Sequence, residues 1–132
     1  MWRRLANRPV ACAPGWLGLD TELLMVRQIN VLQLVERLRA GEPVYLLDVR
    51  QPEEHATCSL PGSHLIPLGE LMLRASEVEP PDDALLVVYC HHGIRSLSGA
   101  AILEQRGFRN VASLRGGIDA WSLQVDPTTP RY

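Results

Sequence analysis

The residues with the most chemistry in this 132-residue chain stand together in "YCHHGIRS", positions 89–96. Cys90 follows a short apolar run. His91, His92, Gly93 and Ile94 separate it from Arg95, and Ser96 opens a stretch with helical periodicity. Three readings of Cys90 are open from residue type alone: a nucleophile, a metal ligand, or a small buried core residue. The order strand, glycine-containing loop, helix start favours the nucleophile. Such a loop can turn successive backbone N–H groups inward, with the positive end of the helix dipole beside them. A cysteine at its head holds its sulfur over that nest, where anionic sulfur is stabilised, and Arg95 adds a fixed positive charge. On this reading Cys90 is catalytic, and His91, His92, Gly93, Ile94 and Arg95 form the substrate-binding loop.

A second group stands in "LLDVRQPEEH", positions 46–55. Arg50 and Glu54 are spaced to pair across a turn into a short helix. Asp48 is placed to accept hydrogen bonds from the Cys90 loop or from Arg95. With Ser96, these three read as supporting residues that position a site without doing its chemistry. The two histidines allow two readings. They tune donor binding with pH, because imidazole titrates near neutrality, or they lend only their amides while their side chains face solvent. Cys58 is either a resolving thiol for Cys90 or a small buried residue. No pair among His55, Cys58, His64, Cys90, His91 and His92 shows zinc-ligand spacing inside a zinc motif, so no metal and no cofactor are expected.

Composition narrows the function classes. The net charge of −2 argues against a nucleic-acid footprint. All 13 basic residues are arginine, and without lysine neither Schiff-base chemistry nor a Walker-type phosphate loop is available. Three cysteines, Cys12, Cys58 and Cys90, make an odd count without disulfide-framework spacing, which fits a reducing compartment. No stretch nears the roughly 20 apolar residues of a membrane span, and no signal-length apolar run precedes Cys12. The expectation is a soluble, cytoplasmic protein.

The elements that must position these residues follow from the pattern. Pro9, Pro14, Gly15 and Gly18 interrupt residues 1–25, read as an irregular or mobile extension. Asn30 suits a helix N-cap, Leu34, Val35 and Leu38 form its stripe, and Gly41 lies just past its end. "VYLLDV" (44–49), "HLIPL" (64–68), "LLVVY" (85–89) and "VASL" (111–114) read as short buried strands. "PEEHAT" (52–57), residues 69–78, Ser96–Arg106 and "GIDAWS" (117–122) read as helices, the third ended by Gly107. Residues 124–132 read as a frayed tail, leaving 26–123 as the folded domain. Short apolar strands alternating with helices predict a parallel or mostly parallel α/β sheet, in which ligands bind beyond the carboxyl ends of the strands. Cys90 and Asp48–Arg50 both sit at such ends.

Four segments together resemble the rhodanese family of sulfurtransferases. "LLDVRQPEEH" resembles its Asp-Val-Arg signature with an acidic residue four positions on, here Glu54. "LPGSHLIPL" (60–68) resembles its Ile-Pro-Gly-Ala segment, although Cys58 and Ser59 replace the family's usual Gly-His. "YCHHGIRS" resembles the active-site loop, with His91 and His92 where Arg and Ser are common. "LRGGIDAW" (114–121) resembles the closing Leu-x-Gly-Gly-x-x-x-Trp signature. The resemblance covers residues 26 to about 122. It implies a three-layer α/β/α fold around a five-stranded, mainly parallel sheet. It also implies a mechanism in which Cys90 takes the outer sulfur of a small anionic donor such as thiosulfate, becomes a persulfide, and passes the sulfur to cyanide, a thiol or a protein cysteine. The alternative is a non-catalytic rhodanese-type docking or sulfur-relay module. Related cysteine phosphatases have five residues between Cys and Arg; the four here, 91–94, favour a sulfur centre over phosphate.

Overall fold

A computed structural model describes residues 25–132. The extension expected ahead of them, with Cys12, lies outside the described residues. Five strands form one sheet: β1 (Gln28–Ile29), β2 (Val44–Asp48), β3 (His64–Leu65), β4 (Leu85–Tyr89) and β5 (Val111–Leu114). Their order is β1-β5-β4-β2-β3, and every pairing is parallel. The helices are α1 (Val31–Arg39), α2 (Pro52–Thr57), α3 (Leu71–Arg74), α4 (Arg95–Gln105) and α5 (Gly117–Gln124). Single 3₁₀ turns, Leu68–Glu70 and Ala75–Glu77, flank α3.

Strand residues alternate between two core clusters, as a pleated strand must when both faces are covered. Leu47, Leu86 and Val88 pack with Ile66, Leu71, Ala100 and Leu103 on the face covered by α3 and α4. Leu46, Leu85, Val87, Tyr89 and Leu114 pack with Leu34 of α1 and with Ile118 and Trp121 of α5 on the other. This is the three-layer α/β/α arrangement. Each of these fully buried aliphatic side chains contributes about 1.5–3 kcal/mol relative to exposure.

Local signals set most boundaries. Asn30 caps α1 through a reciprocal capping box with Gln33, both hydrogen bonds at 2.8 Å, and Gly41 beyond its end takes φ +74°. Pro52 opens α2. Three expectations are corrected, and one strand was not expected. The strand expected over 64–68 pairs only at His64 and Leu65; Ile66 and Leu68 N–H still donate to Asp48 O and Val49 O, but the chain turns there into the 3₁₀ turn that begins at Leu68. The helix expected over 69–78 is broken into a 3₁₀ turn, one α turn and another 3₁₀ turn, although Leu71, Ala75 and Val78 still bury a common stripe. The edge strand β1 carries no period in its two residues. The tail does not fray: Asp126 N–H donates to Trp121 O at 2.9 Å, Thr129 N–H to Asp126 O at 3.0 Å and Ser122 Oγ to Thr129 O at 2.6 Å. Among the described residues no helix is long and apolar enough to cross a membrane.

The register positions the site. Asp48 lies opposite Tyr89 across the β2–β4 pair, so Val49–Arg50 and Cys90 leave the sheet side by side at its carboxyl edge. Val88 lies opposite Ser113 of β5, which puts a strand hydroxyl beneath the loop that follows β4.

Candidate active site

Cys90 is the first residue after β4 and is only 1% exposed. Its sulfur accepts hydrogen bonds from the backbone N–H of Gly93 at 3.1 Å and of Ser96 at 3.4 Å. The thiol in turn faces Ser96 Oγ at 3.5 Å, which is bonded to Ser113 Oγ at 2.7 Å. The loop therefore curls around the sulfur as a donor nest, with Ser96 in the first turn of α4. Such a nest stabilises negative charge at its centre.

Gly93 takes φ +100°, and a Cβ there would meet Gly116 N at 2.9 Å. The opposite side of the loop is clamped by α5. Ile118 N–H donates to Cys90 O at 2.9 Å and Asp119 N–H to His91 O at 3.1 Å. Gly117, at φ +62°, allows this approach, since a Cβ would overlap the carbonyls of Cys90 and His91. The free N–H groups of α5 thus hold the outer rim of the loop while its inner amides face sulfur.

Two ion pairs support the loop, and neither joins the partners expected from spacing. Arg95 forms a two-pronged pair with Glu54, at 2.8 and 3.0 Å. Arg50 binds Asp48 instead of Glu54, through Nε at 2.8 Å and Nη2 at 2.6 Å, with both side chains fully buried. Asp48 also receives the Arg50 N–H at 3.0 Å and lies 2.8 Å from His55 Nδ1. Its carboxylate therefore faces neither the Cys90 loop nor Arg95. The correction has a simple cause: the planar guanidinium fork matches the carboxylate near it at the strand end, which leaves Glu54 for a cation on α4.

A nest that presents amides to a buried cysteine sulfur, fixed at the carboxyl edge of a five-stranded parallel sheet, is joined by a sequence match. A rhodanese-like domain profile matches residues 30–124.

The chain belongs to the rhodanese-like family.

An Allochromatium vinosum protein named sulfurtransferase is 40% identical over 98 residues, which cover 74% of this chain and 90% of that one. A Zea mays adenylyltransferase and sulfurtransferase is 39% identical over 97 residues, 70% of this chain but only 20% of its own length. The solved rhodanese-related protein of Thermoplasma volcanium superposes with a TM-score of 0.66 at 33% identity, covering 75% of this chain and 93% of its own. These relatives support a sulfurtransferase or sulfur-relay role for this rhodanese-like chain.

The loop carries a stacked aromatic rim. His91 is sandwiched between His92 and Tyr132, each ring pair at a centroid distance of 4.0 Å with planes 18° and 10° apart. The histidine side chains therefore do more than project into solvent: His91 is half-buried, while His92 is 62% exposed on its side chain. His91 Nε2 is buried without a hydrogen-bond partner among the described residues. Burial, followed by the neighbouring His92, pushes the His91 pKa below its usual value. Ile94 stands at the start of α4 and is 73% exposed, so its contribution to the loop is backbone.

His91, His92 and Asp119 bring potential metal-ligating atoms within 4.8 Å of one another. They do not fit a resident ion as they stand. Ring lone pairs lie in the ring planes, so two near-parallel stacked rings do not aim at one point about 2 Å from each nitrogen. Arg131 already holds the Asp119 carboxylate at 2.8 Å.

Glu54 is held low, to a pKa of about 2, chiefly by the Arg95 hydrogen bond and against its own partial burial, with help from Gln51 N–H and Tyr132. Burial opposes the charge on Arg50, but its bonds to Asp48 and Tyr132 prevail and raise its pKa. Cys58 donates its thiol to Pro130 O at 3.3 Å and packs in the cluster on the α1–α5 face, whereas Cys90 belongs to the other cluster. Three contributors escaped the sequence reading. Ser113 was signalled by being the one polar residue in an apolar strand. Asp119 and Tyr132 lay in stretches without any local signal.

Proposed function

We propose that this chain is a thiosulfate or persulfide sulfurtransferase that works through a persulfide on Cys90. The observation that carries the reading is the pair of amides, from Gly93 and Ser96, aimed at the Cys90 sulfur. In the first half-reaction the Cys90 thiolate attacks the outer sulfur of thiosulfate. The new bond joins Cys90 Sγ to that sulfur, the old sulfur–sulfur bond breaks, and its electron pair leaves with sulfite. The terminal persulfide sulfur carries the negative charge, in reach of the loop amides. In the second half-reaction a thiolate or cyanide attacks the terminal sulfur, and the bonding pair returns to Cys90 as thiolate. No outside oxidant is consumed.

In this reading the amides of His91, His92, Gly93, Ile94 and Arg95 line the donor site, and preorganised donors of this kind act where charge develops. Ser96 touches the sulfur, while Glu54 holds Arg95, and Asp48 with Arg50 fixes the floor. The four-residue span between Cys90 and Arg95 supports a sulfur centre over a phosphate. Arg50 and Arg95 are each matched by a carboxylate, so in this reading a small donor is held chiefly by the loop amides and not by unpaired guanidinium groups. Unpaired Cys58 and Cys90 fit a reducing compartment such as the cytoplasm. The test is turnover with thiosulfate and cyanide. Thiocyanate should form with the wild type and not with Cys90→Ser; retained turnover in that variant contradicts the reading.

A further inference from the structure

The segment that follows α5 does not leave the domain. It turns back and lays Tyr132 on the active-site loop. The ring stacks on His91. Its hydroxyl accepts a hydrogen bond from Arg50 Nη1 at 2.7 Å and donates to Glu54 Oε2 at 2.8 Å. Glu54 is the carboxylate that clasps Arg95, so the phenol is wired to the pair that frames the Cys90 loop on its other side. Arg131 bonds Asp119, whose N–H holds the His91 carbonyl, and Pro130 O receives the Cys58 thiol. The strap therefore touches both walls of the loop that starts at Cys90, itself only 1% exposed.

We propose that Tyr132 is a specificity-determining gate for the sulfur transfer reaction, closing the mouth of the Cys90 loop to bulky acceptors while thin ones pass. The proposal rests on the sulfurtransferase reading above and adds which acceptors are selected.

Three observations make the gate releasable instead of structural. Tyr132 is still 46% exposed, so one ring face is not committed to the core. The Arg131–Asp119 pair lies on the surface, where such pairs hold weakly. The closed position also leaves His91 Nε2 buried without a hydrogen-bond partner, and a buried donor or acceptor left unpaired penalises the state that buries it. Lifting Tyr132 exposes one face of the His91 ring and opens the ring to solvent. Closing keeps both hydroxyl bonds and the stack. Opening therefore trades the two hydroxyl bonds and the stack for solvation of the His91 ring, and a gate works by such a shift between two states. Arg50 and Glu54 keep their other partners, Asp48 and Arg95, when Tyr132 leaves, so opening does not dismantle the site beneath it.

The test uses the full chain with Tyr132→Ala, which removes ring and hydroxyl, and Tyr132→Phe, which keeps the stack and loses both hydroxyl bonds. Cys90 alkylation is followed by peptide-resolved mass with iodoacetamide as a small reagent and a biotin-linked maleimide as a bulky one. This readout is independent of sulfur chemistry, so it stands even if no persulfide forms. Transfer from thiosulfate-loaded protein to cyanide and to glutathione is then compared. Tyr132→Ala should raise the bulky alkylation rate and the kcat/KM for glutathione about tenfold, the gain when an accepting state goes from one tenth to fully populated. Iodoacetamide and cyanide rates should stay within about twofold on the same population-shift arithmetic, and Tyr132→Phe should move in the same direction by less. Equal changes for small and bulky reagents, or no change for either, would overturn the gate.

Discussion

The backbone N–H of Gly93 points at the sulfur of Cys90 across 3.1 Å. That one bond requires the left-handed turn at φ +100° and the open space beside Gly116 N. Replacing Gly93 by alanine meets both obstacles at once. Gly93→Ala should lose about 10²–10³ in the rate of sulfur transfer, the cost seen when a single preorganised donor is removed from an anion site. The strained backbone should also lower stability by about 1–3 kcal/mol. Stopped-flow kinetics of persulfide formation and urea unfolding measure the two effects separately; unchanged kinetics would remove the amide from the mechanism.

The Asp48–Arg50 pair is fully buried, and Arg50 Nη2 also bonds Cys58 O at 2.6 Å. Asp48→Ala strands a buried guanidinium. Removing one partner of a buried pair costs about 3–5 kcal/mol, because the other charge is left without compensation. Urea denaturation should therefore show a loss of that size or an unfolded variant. A loss below about 1 kcal/mol would mean that the pair is solvated, as surface pairs are.

Glu54 gives a pH dependence whose sign follows from its depressed pKa. The carboxylate titrates at about 2 in the folded chain against an ordinary value of 4.5, so the unfolded chain binds more protons between those values. Stability from the Arg95 clasp is fully present above pH 4.5 and is lost as pH falls toward 2. The stability difference between wild type and Glu54→Gln should be constant from pH 7 to pH 5 and then shrink toward zero. Thermal unfolding across a pH series tests this. A gap that closes between pH 7 and 5 would assign the titration to another group.

His91 gives the same sign in a higher pH window. Burial and His92 lower its pKa, partly offset by Asp119 and Glu54, with Arg50 acting in the lowering direction and Tyr132 stacked on its ring. The fold thus prefers the neutral ring. Its contribution to stability is complete above pH 6.5 and falls as pH drops through the folded pKa. NMR titration should place His91 below 6.5, and Tyr132→Ala should move it back toward that value by uncovering the ring. A value at or above 6.5 in the wild type would contradict the stack.

The local parts of this fold were legible because the residues that make them are adjacent. "LLVVY" and "VASL" became strands at the expected residues, and Pro52 began a helix where Pro is tolerated. The loop around Cys90 was legible for the same reason, since sulfur, Gly93 and Ser96 lie within seven residues. What could not be read was partner choice across the chain. Arg50 and Glu54 are four apart and of opposite charge, yet each takes a different partner, and the Glu54–Arg95 pair spans 41 positions. Such pairing depends on which strand ends the sheet brings together, here those of β2 and β4, and on the helices that follow them. The tail shows the same limit. "DPTTPRY" has no periodicity, and much of its order comes from residues outside it: Trp121 and Ser122 at its start, and Asp119, Arg50, Glu54 and His91 at its end.

The central claim is that Cys90 carries the transferred sulfur, and mass measurement of its peptide tests it most directly. Wild-type protein incubated with thiosulfate should gain the mass of one sulfur atom on the peptide containing Cys90, and cyanide should remove it. The peptide containing Cys58 should stay unchanged, and Cys90→Ser should gain nothing. Sulfur found on Cys58 instead, or an unmodified Cys90 under conditions where thiocyanate forms, would contradict the account.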